Sequence, residues 1–131
     1  MAEEPPTAWP VIRVTAMPAD ANPYGDIFGG WLMAQMDLAA GSIASRAAGG
    51  RAVTVAVEAM SFLRPVSVGD EVSVHGELIS RGVTSLRIGV QAWRRDRHQE
   101  RSEKVTEATF TFVAIGDDRR PRPLRRPGPA A

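Results

Sequence analysis

The stretch GDIFGGWLMAQMDLAAGSIASRAAGGR, residues 25–51, decides how this chain folds. Phe28, Leu32, Met36, Ala39 and Ile43 recur at helical spacing and predict a helix over about 29–48, with GGR at 49–51 as its stop. The other side of that helix is also poor in charge, carrying Met33, Ala34, Gly41 and Ser45. A helix that is apolar or small nearly all round is covered on two sides. A sheet on one face and a partner subunit on the other is the simplest arrangement. Within this stretch Asp37 stands alone, since the positions three and four residues away hold Met33, Ala34, Ala40 and Gly41. A carboxylate so placed is expected to feel desolvation, and taken out of water it becomes a more useful base near neutrality.

Working outward, PVIRVTAM (10–17) reads as a short strand and PADANPYGD as a loop crowded with turn residues. After the helix comes strand upon strand. AVTVAVEAMSF alternates Val53, Val55 and Val57 on one face, and EVSVHGELIS puts Val72, Val74 and Leu78 opposite Ser73, His75 and Glu77. In SLRIGVQAW, Leu86, Ile88 and Val90 alternate with polar or small residues; in KVTEATFTFVAI, Ala108, Phe110 and Phe112 do so. VGD (68–70) and SRG (80–82) mark turns. The expected architecture is α+β: a strand, a long helix, then four strands in an antiparallel meander, one sheet curled around one helix. With 131 residues there is room for a single domain. Its bounds are expected at 10–118, between a flexible lead at 1–9 and a disordered Pro/Arg-rich tail at 119–131.

Sixteen basic against fifteen acidic residues, a formal net charge of +1, give no global argument for nucleic acid or an anionic membrane. The tail's five arginines read as solvated rather than as contacts for RNA, lipid head groups or CoA phosphate. No cysteine is present, which excludes disulfides, thiolate metal sites and a cysteine nucleophile. No signal peptide or long apolar span is evident, so a soluble, cytoplasmic protein without membrane insertion is expected. His75 and His98 read as solvated surface residues, and no metal-ligand spacing, Gly-x-Ser-x-Gly elbow, phosphate-binding glycine loop or dinucleotide fingerprint occurs.

Asp37 remains, together with Gly29 and Gly30. At a helix start the backbone N–H groups of these glycines have no intrahelical acceptor and, reinforced by the helix dipole, can face an oxygen where negative charge develops. Their other reading is a tight turn into the helix. The pair of features, donor and base, is separated by about 10–12 Å of helical rise, and an extended thioester could present its carbonyl to one end while water is held at the other. A thioester expels a thiolate whose conjugate acid has a pKa near ~8.5, so its departure hardly needs a general acid. That fits a chain offering only Asp37, backbone donors and an amide such as Asn22.

The runs MPADANPYGDIFGGWLMAQMD, VTVAVEAMSFLRPVSVGD and TEATFTFVAI resemble the hotdog-fold acyl-CoA thioesterases of the YciA type, over about residues 10–118. The resemblance implies a long helix wrapped by an antiparallel sheet, dimers that join two sheets edge to edge, and trimers of such dimers. It implies acyl-CoA as substrate, with CoA a part of that substrate and no separate cofactor. Asp37 takes the place of the family's acid, as base or nucleophile, and Asn22 that of the asparagine that orients water or the thioester, the two meeting in a site built from facing subunits. Gly29 and Gly30 match the helix-start donors. Arg64, Thr84, Ser85 and Lys104 are candidate contacts for CoA, and Arg64 has a second reading as a residue that fixes a strand end. Phe28 stands where related thioesterases carry a histidine before Gly-Gly, and Gly25 stands where hotdog hydratases carry their histidine, so those two variants of the chemistry are not expected. The rival reading is a non-catalytic acyl-CoA-binding regulator, which would have to act through a partner protein because no DNA-binding module is present.

Overall fold

The computed structural model describes residues 3–124. β1 (Ile12–Thr15) is followed by a 3-10 turn at Pro18–Asp20 and then by α1 (Gly29–Ala48). Four longer strands complete the chain: β2 (Ala52–Phe62), β3 (Glu71–Arg81), β4 (Ser85–Arg95) and β5 (Ser102–Ala114). All pairings are antiparallel, in one five-stranded sheet of order β1-β3-β4-β5-β2. The α+β expectation and the helix limits hold, but the four-strand meander does not. Only β3, β4 and β5 follow one another in space. α1 lies across the sheet and touches β2, β3, β4 and β5, so the strand leaving the helix emerges at the far edge, beside β5.

The helix is held by a stripe of Leu32, Met36, Ala39, Ala40, Ala44 and Ala48, all buried against Val72, Val74, Leu86, Ile88, Phe110 and Phe112 of the sheet. Alanines let the helix approach closely, and the approach is tight enough that a Cβ on Gly76 would lie 2.7 Å from Ile43 Cδ1. Phe28, placed on this stripe by its spacing, instead caps the helix and is half-exposed. At the other end Gly49 takes the left-handed conformation at φ 68°. Its N–H donates to Arg46 O, and the Gly50 N–H donates to Ser45 O.

Side-chain alternation holds at Val72 and Val74 of β3 and at the expected residues of β4 and β5, but Leu78, expected on the same face of β3, is exposed beside a register shift between Leu78 and Ser80. On β2 it fails, because register shifts between Thr54 and Ala56 and between Glu58 and Ser61 each displace the pattern. Val53 therefore pairs with outward-facing Val113, whereas Val57 pairs with buried Phe110; Val53, Val55 and Val57 are all exposed. β2 is an edge strand of 11 residues with only β5 as its neighbour.

The packed chain reaches at least Leu124 rather than ending at 118. Ile115 bridges to Pro121, the Arg122 N–H donates to Ala114 O, and the Leu124 N–H donates to Val83 O. The Arg122 guanidinium donates to Ala48 O at 2.9 Å and Arg81 donates to Ala47 O at 3.0 Å, satisfying carbonyls at the end of α1. Arg125 and Arg126 of the tail lie outside the described residues. At the other terminus, residues 5–10 pass over the outer face of the sheet, where Pro6, Ala8 and Trp9 line cavities together with His75.

His75 is thus not the solvated residue expected from its strand face: it is only 8% exposed, and its Nδ1 has no hydrogen-bond partner. The alternation placed it correctly on the outer face, but the covering segment is 65 or more residues away in sequence and leaves no trace in the local pattern. Burial, aided by the charge of Arg13, lowers its pKa from the ordinary 6.5. Below about pH 6.5 the unfolded chain takes up a proton that the folded chain resists, so His75 makes stability fall with acidification and has no effect at higher pH. In urea titrations between pH 7.5 and 5, His75→Gln is expected to show a shallower acid loss than wild type, by up to about one proton. Equal slopes would place the imidazole in water.

Candidate active site

Asp37 lies in the third turn of α1, on the flank between the buried stripe and the open side. Its Oδ1 accepts a hydrogen bond from Thr54 Oγ1 of β2 at 2.5 Å. The first β2 bulge decides which residues face the helix: Thr54 pairs with inward Phe112, Val57 with inward Phe110 and Phe62 with buried Thr106. α1 and β2 therefore meet with Asp37 against Thr54 at one place along their contact and Gly29 against Phe62 at another. Thr54 was not among the residues suggested by the sequence. The only signal it offers is a hydroxyl between two valines in an apolar run, which reads equally as an ordinary strand residue.

At the helix start, Phe28 O accepts from the N–H groups of Trp31 and Leu32, at 3.1 and 3.3 Å. The N–H groups of Gly29 and Gly30 precede any carbonyl they could reach within the helix. The two glycines differ in their surroundings. A Cβ on Gly29 would lie 3.2 Å from the Phe62 ring, whereas one on Gly30 would meet nothing within 4 Å. Gly29 lets β2 close on the helix start, and Gly30 leaves its backbone open to an approaching molecule.

Asn22 organises the loop that leads into α1. Its Oδ1 accepts from the N–H groups of Tyr24 at 2.9 Å and Asp26 at 3.1 Å, and its own N–H donates to Asp26 O. Gly25, at φ 88°, makes that tight turn possible. The Ile27 N–H then donates to Val66 O and the Phe28 N–H to Asp20 O, tying the loop to the body of the fold. With its oxygen committed to the turn, Asn22 keeps its amide NH2 in one orientation as a donor.

The four CoA candidates are not brought together in one protomer. Thr84 and Ser85 lie at the β3–β4 turn, where their carbonyls accept from Ala114 N–H and Gly82 N–H. Arg64 and Lys104 lie near Trp93 and Glu103, eight residues along β4, roughly 26 Å away. Arg64 pairs with Glu103 at 3.1 Å and donates to Lys104 O at 2.7 Å, in keeping with its reading as a strand-end residue. Glu103 also pairs with Arg94, which reaches buried Asp70, so Arg64 is the outer member of an ion network across the sheet end. The Lys104 ammonium pairs with Glu107 and sits 5.8 Å from the Trp93 ring centroid, on the outer face.

Residues 24–100 match the model of the Thioesterase superfamily. The chain is 50% identical over 117 residues to the acyl-CoA thioester hydrolase YciA of Salmonella typhimurium, covering 87% of this chain and 88% of that one. Among solved structures, a hexameric broad-specificity acyl-coenzyme A thioesterase, solved with an aspartate replaced by alanine, superimposes with a TM-score of 0.85 at 43% identity, covering 89% of this chain and 86% of that one. The hexameric hotdog-fold thioesterase of Campylobacter jejuni gives a TM-score of 0.84 at 33% identity, covering 90% and 91%.

The loop geometry carries its own test. Asn22→Ala removes the acceptor shared by Tyr24 and Asp26, and loss of such a bond is worth about 1 kcal/mol. Amide exchange at Tyr24 and Asp26 is expected to quicken by about fivefold or more, with the strands of the sheet unaffected. Unchanged protection at both amides would show that the side chain does not hold the turn.

Proposed function

The chain belongs to the thioesterase superfamily, and from that premise we propose that it hydrolyses acyl-CoA to the free acid and CoA in a site shared by two copies of the chain. The observation that carries the shared site is a distance. Gly29 and Asp37 are eight residues apart on one straight helix, about 12 Å. Attack on a thioester needs the base within hydrogen-bond reach of a water that itself touches the carbonyl carbon, while the oxyanion donors touch the carbonyl oxygen. One protomer stands near the limit of that reach, and a facing copy that brings its own helix start beside Asp37 shortens the span, in place of the extended-thioester arrangement suggested by spacing alone.

The surface of the protomer suits such a copy. β2 presents an unpaired edge with Val53, Val55 and Val57 exposed, next to exposed Met33 and Leu38 of α1. A long apolar edge of this kind is ordinarily paired. Asp37, exposed in the protomer, would be enclosed by the same contact. The hexameric assembly of the structural relatives supports joining such dimers in threes.

In the reaction, water loses a proton to the Asp37 carboxylate as its oxygen bonds to the carbonyl carbon. The carbonyl oxygen takes up negative charge against the N–H groups of Gly29 and Gly30 of the facing copy, with the Asn22 amide orienting water or thioester beside them. Collapse breaks the carbon–sulfur bond, and the CoA thiolate departs without needing a strong acid. Direct attack by Asp37 through an anhydride uses the same groups. Thr54 holds Asp37 in either case, as a positioning residue. The solved relative in which an aspartate is replaced by alanine draws attention to the same residue type.

Asp37→Asn is expected to lower kcat by orders of magnitude with KM little changed, the pattern of a lost transition-state interaction. Mixing denatured Asp37→Asn and Asn22→Ala chains and refolding them together should regenerate about a quarter of wild-type sites, because each mixed dimer holds one intact pair. Activity no greater than that of the separate variants would put both groups in one protomer and refute the shared site. Thr54→Val should reduce kcat by about tenfold, corresponding to one hydrogen bond to a charged group, and leave KM within about twofold. An unaltered kcat would remove Thr54 from the site.

A further inference from the structure

The loop that carries Asn22 into α1 takes its place from a second segment, residues 64–70, against which it lies. The Ile27 N–H donates to Val66 O at 2.9 Å, and Asp26 and Ser67 form an antiparallel bridge beside that bond. The Asp26 carbonyl in turn accepts from the Asn22 N–H at 2.6 Å. Val66 and Ile27 are both buried, so wherever residues 66–67 stand, Ile27, Asp26 and Asn22 must follow.

Charge holds this second segment. Asp70, only 5% exposed, turns back on its own loop: its Oδ2 accepts from the Ser67 N–H at 2.9 Å, and its N–H donates to Ser67 O at 3.0 Å. Gly69, at φ 93°, permits that turn. The same Oδ2 accepts from Arg94 Nη1 at 3.1 Å, while Arg94 Nη2 donates to Glu103 at 2.8 Å. Glu103 also pairs with Arg64 at 3.1 Å. Arg94 of β4 and Glu103 of β5 are register partners, so one pair on two inner strands grips the segment at both ends, Arg64 and Asp70.

The grip at Asp70 is unlike a surface ion pair. Its side chain is 6% exposed and that of Arg94 24%, and the buried Arg94 Nε has no acceptor, so the guanidinium relies on two carboxylates alone. Removing one of them leaves a largely buried charge half-paired. Charged hydrogen bonds are also directional where apolar contact is not. From Arg94 to Asn22 the path runs unbroken through Asp70, Ser67 and Asp26.

We propose that Asp70 is a positioning residue for thioester hydrolysis, acting with Arg94 through residues 66–67 to hold Asn22 in place. The kinetic part of its test rests on the hydrolytic reading, and the exchange part does not. Asp70→Asn keeps the shape and an acceptor for Ser67 but removes the charge that Arg94 needs. In the full-length protein it is expected to lower kcat for an acyl-CoA about tenfold and leave KM within about twofold. Added to Asn22→Ala, it should cost no more than about a further twofold, because residues acting through one group are not additive. Losses that multiply would make Asp70 merely structural and overturn the proposal, as would a wild-type kcat. Amide exchange at Asp26 and Ile27, measured without substrate, should quicken about tenfold in Asp70→Asn while the amides of β4 stay protected. Unchanged exchange at both would also overturn it. Wild-type protein inert toward acyl-CoA would refute hydrolysis instead, and the exchange result would still decide whether Asp70 holds the loop. Arg87→Gln, which breaks an exposed ion pair on the same strand, should leave kcat unchanged, and an equal loss there would count against a specific role for Asp70. Should Asp70→Asn fail to fold, Glu103→Gln loosens the same grip at a partly exposed position and decides by the same measurements, with a loss in kcat of about threefold.

Discussion

The contact between the alanine-rich face of α1 and the sheet fixes everything else in this molecule. Leu32 and Met36 anchor the first half of that face, and Ala39, Ala40, Ala44 and Ala48 bring the second half close to the strands. Small residues on the contact leave little freedom of rotation about the helix axis, since any turn would drive Ile43 into the backbone at Gly76. With the rotation set, Asp37 must emerge beside β2, within reach of Thr54, and the helix start must emerge beside Phe62. The packing of the core thus determines the direction in which a carboxylate points at the edge of the sheet.

Much of this was legible in the sequence, for identifiable reasons. The helix limits of 29–48 were recovered because apolar spacing and a glycine stop are local signals, and α1 uses both. The inner residues of β4 and β5, and Val72 and Val74 of β3, followed from simple alternation, which survives where strands are flanked on both sides; Leu78, beyond the reach of β1 and beside a register shift, did not. β2 escaped this reading. Two bulges within 11 residues shift its faces, and residues such as Val53 and Val57 look equivalent until the register is known. Strand order was equally hidden, because a meander and a return to the far edge give the same succession of elements.

The site shows the same division. Asp37, Gly29 and Gly30 stand out by composition, an acid and two glycines in an apolar helix. Asn22 was visible as an amide near the helix start, but its role in folding the 22–26 turn depends on backbone groups that carry no sequence signature. Thr54 and His75 depend on segments brought together from afar, by a helix in one case and by the N-terminal segment in the other. The candidate phosphate contacts were proposed from motifs, and their separation to opposite ends of β4 could be seen only once the strand pairing was known.

Arg122 adds an order of events to this picture. Its guanidinium closes the end of α1 from 74 residues downstream of Ala48, so this cap forms only after every strand of the sheet has been made. Until residue 122 joins the fold, Ala48 O must rely on water, whereas Ala47 O can already be met by Arg81. A premature stop a few codons upstream would leave every strand intact and yet produce a protein without its latch, a defect open to cellular quality control.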